Sequence, residues 1–114
     1  MLCGFDTTNS LYFEHFINGT RQTSISTTIH PDVWYHLSIT FNNGIYSIYL
    51  NGVKIESSSG DTAPPSVTTP SNIFIGRSNW SNDPYMLGGQ TDIRFYNKVL
   101  SDTDIKNIFN IGPC

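Results

Sequence analysis

The stretch Val33-Trp34-Tyr35-His36-Leu37-Ser38-Ile39-Thr40-Phe41, followed by Asn42-Asn43-Gly44, decides the fold. Its odd positions are all apolar or aromatic, and its even positions are Trp, His, Ser and Thr. That period of two describes a half-buried β-strand with one core face and one mixed face. Asn43-Gly44 ends it, because both residues tolerate the positive φ that a two-residue hairpin turn requires. The return strand covers residues 45–50, with Tyr46, Ile48 and Leu50 on one face. Asn51-Gly52 then turns the chain into Val53-Lys54-Ile55-Glu56. Three strands joined by two Asn-Gly turns make an antiparallel meander.

The pattern extends both ways from this meander. Residues 10–17 read as a strand with Leu11, Phe13 and Ile17 alternating, and Asn18-Gly19 turns it into a more polar strand over 21–29. Residues 57–71 are rich in Pro, Ser and Thr and read as a surface loop. A short strand is expected over 72–77, with Ile73 and Ile75 inward. A loop over 78–89 then holds Asn79, Trp80, Asn82, Asp83 and Tyr85. Residues 91–97 read as a last strand, with Ile93 and Phe95 on one side and Asp92, Arg94 and Tyr96 on the other. Ser101-Asp102-Thr103-Asp104 supplies an N-cap hydroxyl and acidic residues where a helix start favours them. Ile105, Ile108 and Phe109 form one apolar stripe behind that start, so a short helix should pack on the sandwich edge.

Composition agrees and excludes much. The 114 residues, 38% hydrophobic and 13% aromatic, suit one domain over 1–114 and carry too much ring surface for disorder. Asn, Ser, Thr and Ile dominate, with Tyr and Phe beside them, which excludes a helical bundle. Only six Lys and Arg and a net charge of −3 exclude a basic nucleic-acid face and an anionic-membrane binder. No apolar run approaches the ~18 residues of a membrane span. Oligomeric state is open.

The same polar, aromatic-rich composition leans towards an extracellular or cell-surface setting. Asn18 and Asn79 each open a glycosylation triplet, of a kind that also arises by chance in so Asn- and Ser/Thr-rich a chain. Cys3 and Cys114 lie at opposite ends. A bridge between them would contribute roughly 4–5 kcal/mol in the loop-entropy picture, and two unrelated thiols are the alternative. The first residues lack the basic and apolar regions of a signal peptide, so an export signal would have to lie upstream.

Taken in order, these segments resemble the laminin G-like jelly-roll domains of the concanavalin A-like lectin/glucanase superfamily. Trp34-Tyr35-His36-Leu37 resembles the family's Trp-x-His strand opening. Ile48-Tyr49-Leu50-Asn51-Gly52 is similar to its Leu-Tyr-Val-Asp-Gly hairpin, with Asn51 in place of Asp. Ile73-Phe74-Ile75-Gly76 resembles its short Ile-Gly strand. Residues 89–97 resemble its Gly-x-Ile-Asp-x-x-Arg-x-Tyr-Asn signature, with Thr91 departing from Ile. Leu100-Ser101 with Asp104-Ile105 resembles its closing Leu-Ser-x-x-Glu-Ile. The resemblance spans roughly residues 33–109 and implies an all-β, antiparallel β-sandwich of jelly-roll type with one short C-terminal helix. It also implies a deficit: complete members are longer, and residues 5–29 read as second and third strands with the first ones absent. The chain is then either a fragment or a compact variant.

The superfamily includes glycosidases, whose chemistry needs two carboxylates about 5–9.5 Å apart. Glu14 and Glu56 fall on different expected strands, and no strand carries an acidic i, i+2 pair. Asp102 and Asp104 have that spacing but read as helix caps. His15, His30 and His36 never stand at metal-ligand spacing, and His36 reads as a hydrogen-bonded structural residue. The chain therefore reads as no enzyme by itself.

Sugar sites combine an aromatic platform with amide and carboxylate acceptors. Asn79, Trp80, Asn82, Asp83 and Tyr85 supply that mixture within one loop, with Asn79, Trp80, Asn82 and Tyr85 the expected ligand contacts. The alternative makes Trp80 a lid over the core. Because many relatives bind calcium, the resemblance also makes Asp83 and Asp92 the candidate calcium ligands; otherwise Asp92 hydrogen-bonds backbone or pairs with Arg77. The functional expectation is a non-catalytic recognition module for a glycan or an extracellular protein. A structural spacer and a hydrolase remnant are the alternatives.

Overall fold

The computed structural model describes residues 2–5 and Ile17 as backbone, and residues 9–16, 19–58, 74–78 and 80–113. Six strands and one helix lie within them: β1 (Leu2–Phe5), β2 (Ser10–Ile17), β3 (Thr20–Thr28), β4 (Leu37–Asn42), β5 (Ile45–Leu50), β6 (Val53–Ser57) and α1 (Asp102–Ile111). They form two three-stranded antiparallel sheets, ordered β1-β2-β3 and β4-β5-β6. The expected meander is the second sheet. Its turns use the chemistry read from the sequence, with Asn43, Gly44, Asn51 and Gly52 all at positive φ.

The sheets face each other across one apolar cluster. Leu11, Phe13 and Ile25 enter it from the first sheet, Tyr46 and Ile48 from the second, and Ile29, Ile39, Phe41 and Leu50 pack around it. Ring contacts from Tyr46 to Phe13 (4.8 Å between centroids) and Phe41 (4.6 Å) knit its centre. Each fully buried side chain of this size contributes about 1.5–3 kcal/mol. Along one side the sandwich is closed by a charge: Glu56 of β6 accepts the Ser26 N–H of β3 (3.0 Å).

Helix α1 packs beside the second sheet, against Tyr49, Lys54 and the turn at Gly52. Ser101 caps it by accepting the Asp104 N–H (3.1 Å), while the Ser101 N–H donates to the Asp104 carboxylate (3.0 Å). The Ser101 hydroxyl also donates to Asp104 Oδ2 (2.8 Å), and this bond, with that from the Ser101 N–H, holds the Asp104 carboxyl pKa below its ordinary value. Asp102 accepts from the Tyr49 hydroxyl (2.8 Å) and pairs with Lys54 (3.1 Å), which places its carboxyl below, and the Lys54 ammonium above, their ordinary values. Ile105 is fully buried, as its place in the stripe requires.

Three expectations need correction. The strand expected from residue 33 begins at Leu37, because the His36 backbone is held by Asn51 instead of by a ladder: its N–H donates to Asn51 Oδ1 (3.0 Å) and its carbonyl accepts the Asn51 N–H (2.8 Å). Residues 74–77 bend without forming a strand, with Gly76 at φ 79°; Asn72 and Ile73 lie outside the described residues. Residues 91–97 are not a strand either, because Asp92 sits at φ 55° and interrupts the extended backbone. Conversely, β1 forms at Leu2–Phe5, where the sequence offered no element.

Candidate functional site

Alternation along β2 sends Leu11, Phe13 and His15 into the core and leaves Tyr12, Glu14 and Phe16 on the outer face. A register shift between His15 and Phe16 then matters. Pairing steps from His15↔Thr23 to Phe16↔Arg21, so β3 carries one extra residue, Gln22. The bulge turns Arg21 onto the outer face beside Phe16, where its guanidinium donates to Glu14 (2.8 Å). Without it, parity would aim Arg21 inward.

The loop following Gly76 returns over this face. The Trp80 N–H donates to Ser78 Oγ (3.1 Å), the Asp83 N–H to the Trp80 carbonyl (3.2 Å), and the Met86 N–H closes the loop on the Gly76 carbonyl (2.8 Å). The turn stacks the Trp80 indole against Phe16 (centroids 5.1 Å, 58° between planes). A cleft of about 410 Å³ opens between strand and loop, lined by Tyr12, Glu14, Phe16, Trp80, Asn82 and Asp83. Its size falls within the range of small-molecule sites. Trp80 remains 47% exposed, neither a core lid nor a free side chain.

Two of the four expected ligand residues, Trp80 and Asn82, therefore line one site, and Asp83 joins them. Tyr85 does not line it: its ring lies 5.5 Å from the Arg77 guanidinium, which also stacks on Phe74 (4.3 Å). Asn79, Asn18 and Cys114, and the side chain of Cys3, lie outside the described residues. Sequence reasoning missed Tyr12, Glu14 and Phe16. The available signal was an outer strand face as aromatic as the inner one.

Asp92 does not pair with Arg77. Both its oxygens accept from Arg94, at 2.7 and 2.6 Å. This carboxylate is engaged by a cation of the chain's own. Among the described residues, no group of three or more His, Cys, Asp or Glu is gathered. Beside the Asp92–Arg94 pair stands His36, whose ring meets Phe109 of α1 at 5.9 Å and whose Nδ1 is buried without a hydrogen-bond partner. Burial and Arg94 lower the His36 pKa, with Asp92 opposing them. The hydrogen bonds that place His36 are those of its backbone to Asn51, not the ring hydrogen bond expected at Nδ1.

A family model for the concanavalin A-like lectin/glucanases superfamily matches residues 1–106. The chain belongs to this superfamily. A solved structure of an S-layer domain-containing protein (residues 221–444) from Clostridium thermocellum ATCC 27405 has a similar fold, with a TM-score of 0.60 at 21% identity. The similarity covers 96% of this chain and 61% of that one, so the present chain spans under two thirds of that structure. No curated protein matches. Superfamily membership accounts for the paired antiparallel sheets with a short C-terminal helix. Among the described residues, no helix is long and apolar enough to cross a membrane.

Proposed function

We propose that this concanavalin A-like domain is a non-catalytic carbohydrate-recognition module of an extracellular or cell-surface protein, and that the β2–loop cleft is its binding site. The observation that carries the reading is the half-exposed Trp80 indole, braced on Phe16 and ringed by Glu14, Asn82, Asp83 and Tyr12. A sugar ring presents a C–H face to an indole and hydroxyls to amide and carboxylate oxygens around it. Superfamily membership and the S-layer domain-containing relative support the surface setting.

The fold does bring two carboxylates, Glu14 and Asp83, to one cleft from distant positions. Glu14 Oε1 is already engaged by Arg21, an arrangement that suits a fixed acceptor better than a proton donor. The reading therefore stays with binding.

The test is a glycan array on the domain, followed by titration calorimetry of the best ligand against Trp80→Ala and Phe16→Ala. Trp80→Ala should weaken binding about tenfold or more, equivalent to ~1.4 kcal/mol, with the circular dichroism spectrum unchanged. A Trp80→Ala protein that binds as tightly as the parent would remove the cleft from consideration. Release of sugar from an oligosaccharide that binds would overturn the non-catalytic assignment.

A further inference from the structure

The polar lining of the cleft is acidic, and the inference drawn from it rests on the carbohydrate-recognition function proposed. Its polar lining consists of two carboxylates, Glu14 and Asp83, with the amide of Asn82 and the phenol of Tyr12. None of the six Lys and Arg residues lines it. The nearest, Arg21, is bound to Glu14, which leaves one net negative charge across Glu14, Asp83 and Arg21. Three others are also engaged: Lys54 pairs with Asp102, Arg94 with Asp92, and Arg77 lies over the rings of Phe74 and Tyr85. The whole chain is acidic, at −3, so no background positive field offsets the local one.

We propose that the cleft selects donor-rich, non-anionic glycans, whose hydroxyl or ammonium groups hydrogen-bond to Glu14 and Asp83, and that it rejects acidic glycans. Carboxylates only accept hydrogen bonds when ionised, so they reward ligand O–H and N–H groups and leave ligand oxyanions opposed. Like charges brought together at a binding surface are penalised strongly enough to decide between otherwise similar ligands. At physiological salt, screening acts beyond about 8 Å, too long a distance to hide a carboxylate that touches the ligand.

The experiment compares three oligosaccharides of equal length and linkage, built of glucose, glucosamine or glucuronate, titrated into the intact domain at low and physiological salt. The glucose and glucosamine oligomers should bind, and the glucuronate oligomer should be about tenfold weaker or more, with a gap that persists at physiological salt. Glu14→Gln then keeps the side chain's shape, removes a charge and releases Arg21. It should close or invert the gap between glucose and glucuronate. Asp83→Asn should narrow the same gap without releasing a cation. Glucuronate binding equal to glucose overturns the charge preference alone, as does an unchanged gap in the folded Glu14→Gln protein. Binding of none of the three overturns the carbohydrate reading together with it.

Discussion

Phe13 and Phe95 each sit in a stretch that alternates apolar and polar residues, yet Phe13 is fully buried and Phe95 is 85% exposed. The first belongs to β2, which pairs with β1 on one side and β3 on the other and faces Tyr46 across the core. The second belongs to residues 91–97, which take part in neither sheet. Alternation gives a segment two unlike faces, but a strand also needs a neighbour for its N–H and C=O groups. Residues 10–57 supply their own neighbours through short turns. Residues 91–97 lack such a turn, and their side chains favour a local arrangement, with Arg94 closing on Asp92 two residues away and Asp92 at φ 55°. A period of two is thus evidence of surface chemistry first and of a strand second.

A matched pair of truncations measures the difference between the two phenylalanines. Phe13→Ala should cost about 3–5 kcal/mol in denaturant unfolding, because it empties space between the sheets. Phe95→Ala should stay within about 0.5 kcal/mol of the parent, as for an exposed site without partners to lose. A Phe95→Ala protein destabilised as much as Phe13→Ala would mean that residues 91–97 do share a buried face.

Two glycines of nearly equal φ sharpen the contrast at the backbone. Gly52, at φ 78°, lies in the packed region, and a Cβ there would stand 3.2 Å from the Lys106 Cα and the Phe109 side chain. Gly76, at φ 79°, would meet nothing within 4 Å. Both Ala variants incur the left-handed penalty of about 1 kcal/mol, but Gly52→Ala must also displace α1, for a total of about 2–4 kcal/mol. Equal melting temperatures for the two variants would place α1 more loosely than the structure has it.

At the helix, Ser101→Ala should cost about 1 kcal/mol through loss of the bond to the Asp104 N–H. Nearby, His36 links α1 to the irregular region, and its lowered pKa fixes a sign. In the unfolded chain it protonates near 6.5, and in the folded one at lower pH, so the unfolded state binds more protons between these values. Stability should hold above pH 6.5, fall as pH drops through that window, and level off below the folded value. A His36→Gln protein should have a flatter profile there; an identical slope in the variant would assign the effect to another group. Losses from Asp102 and Asp104 come lower, as pH falls through their depressed carboxyl values.

What could be read from the sequence follows the range of the interactions involved. The meander was legible because each Asn-Gly turn fixes its own register, and the helix because Ser101 and Asp104 carry both halves of the capping box. Half of the cleft was legible in the same local sense, as Trp80, Asn82 and Asp83 share one loop. The other half was not, since Glu14 and Phe16 meet that loop only through tertiary packing, and Arg21 reaches Glu14 only through a bulge at Gln22. Bulges leave no mark on a period-two pattern until the partner strand is known.

The smallest expected effect falls at Trp34, an even position that the alternation sets on the mixed face of its expected strand. Trp34 stands in the stretch read as a central strand, where truncation would be costly. The structure puts it before β4 and 71% exposed, with one edge of its ring against Gly89. Trp34→Ala should therefore change stability by no more than about 0.5 kcal/mol. Its fluorescence offers an independent reading: with Trp80→Phe removing the other indole, Trp34 should emit as a water-exposed ring and quench readily with iodide. A loss near the 3–5 kcal/mol of a buried aromatic would mean that the period-two pattern holds from Val33 onward. A loss within the exposed range leaves Leu37 as the first residue at which pairing with β5, and not pattern alone, holds the strand in place.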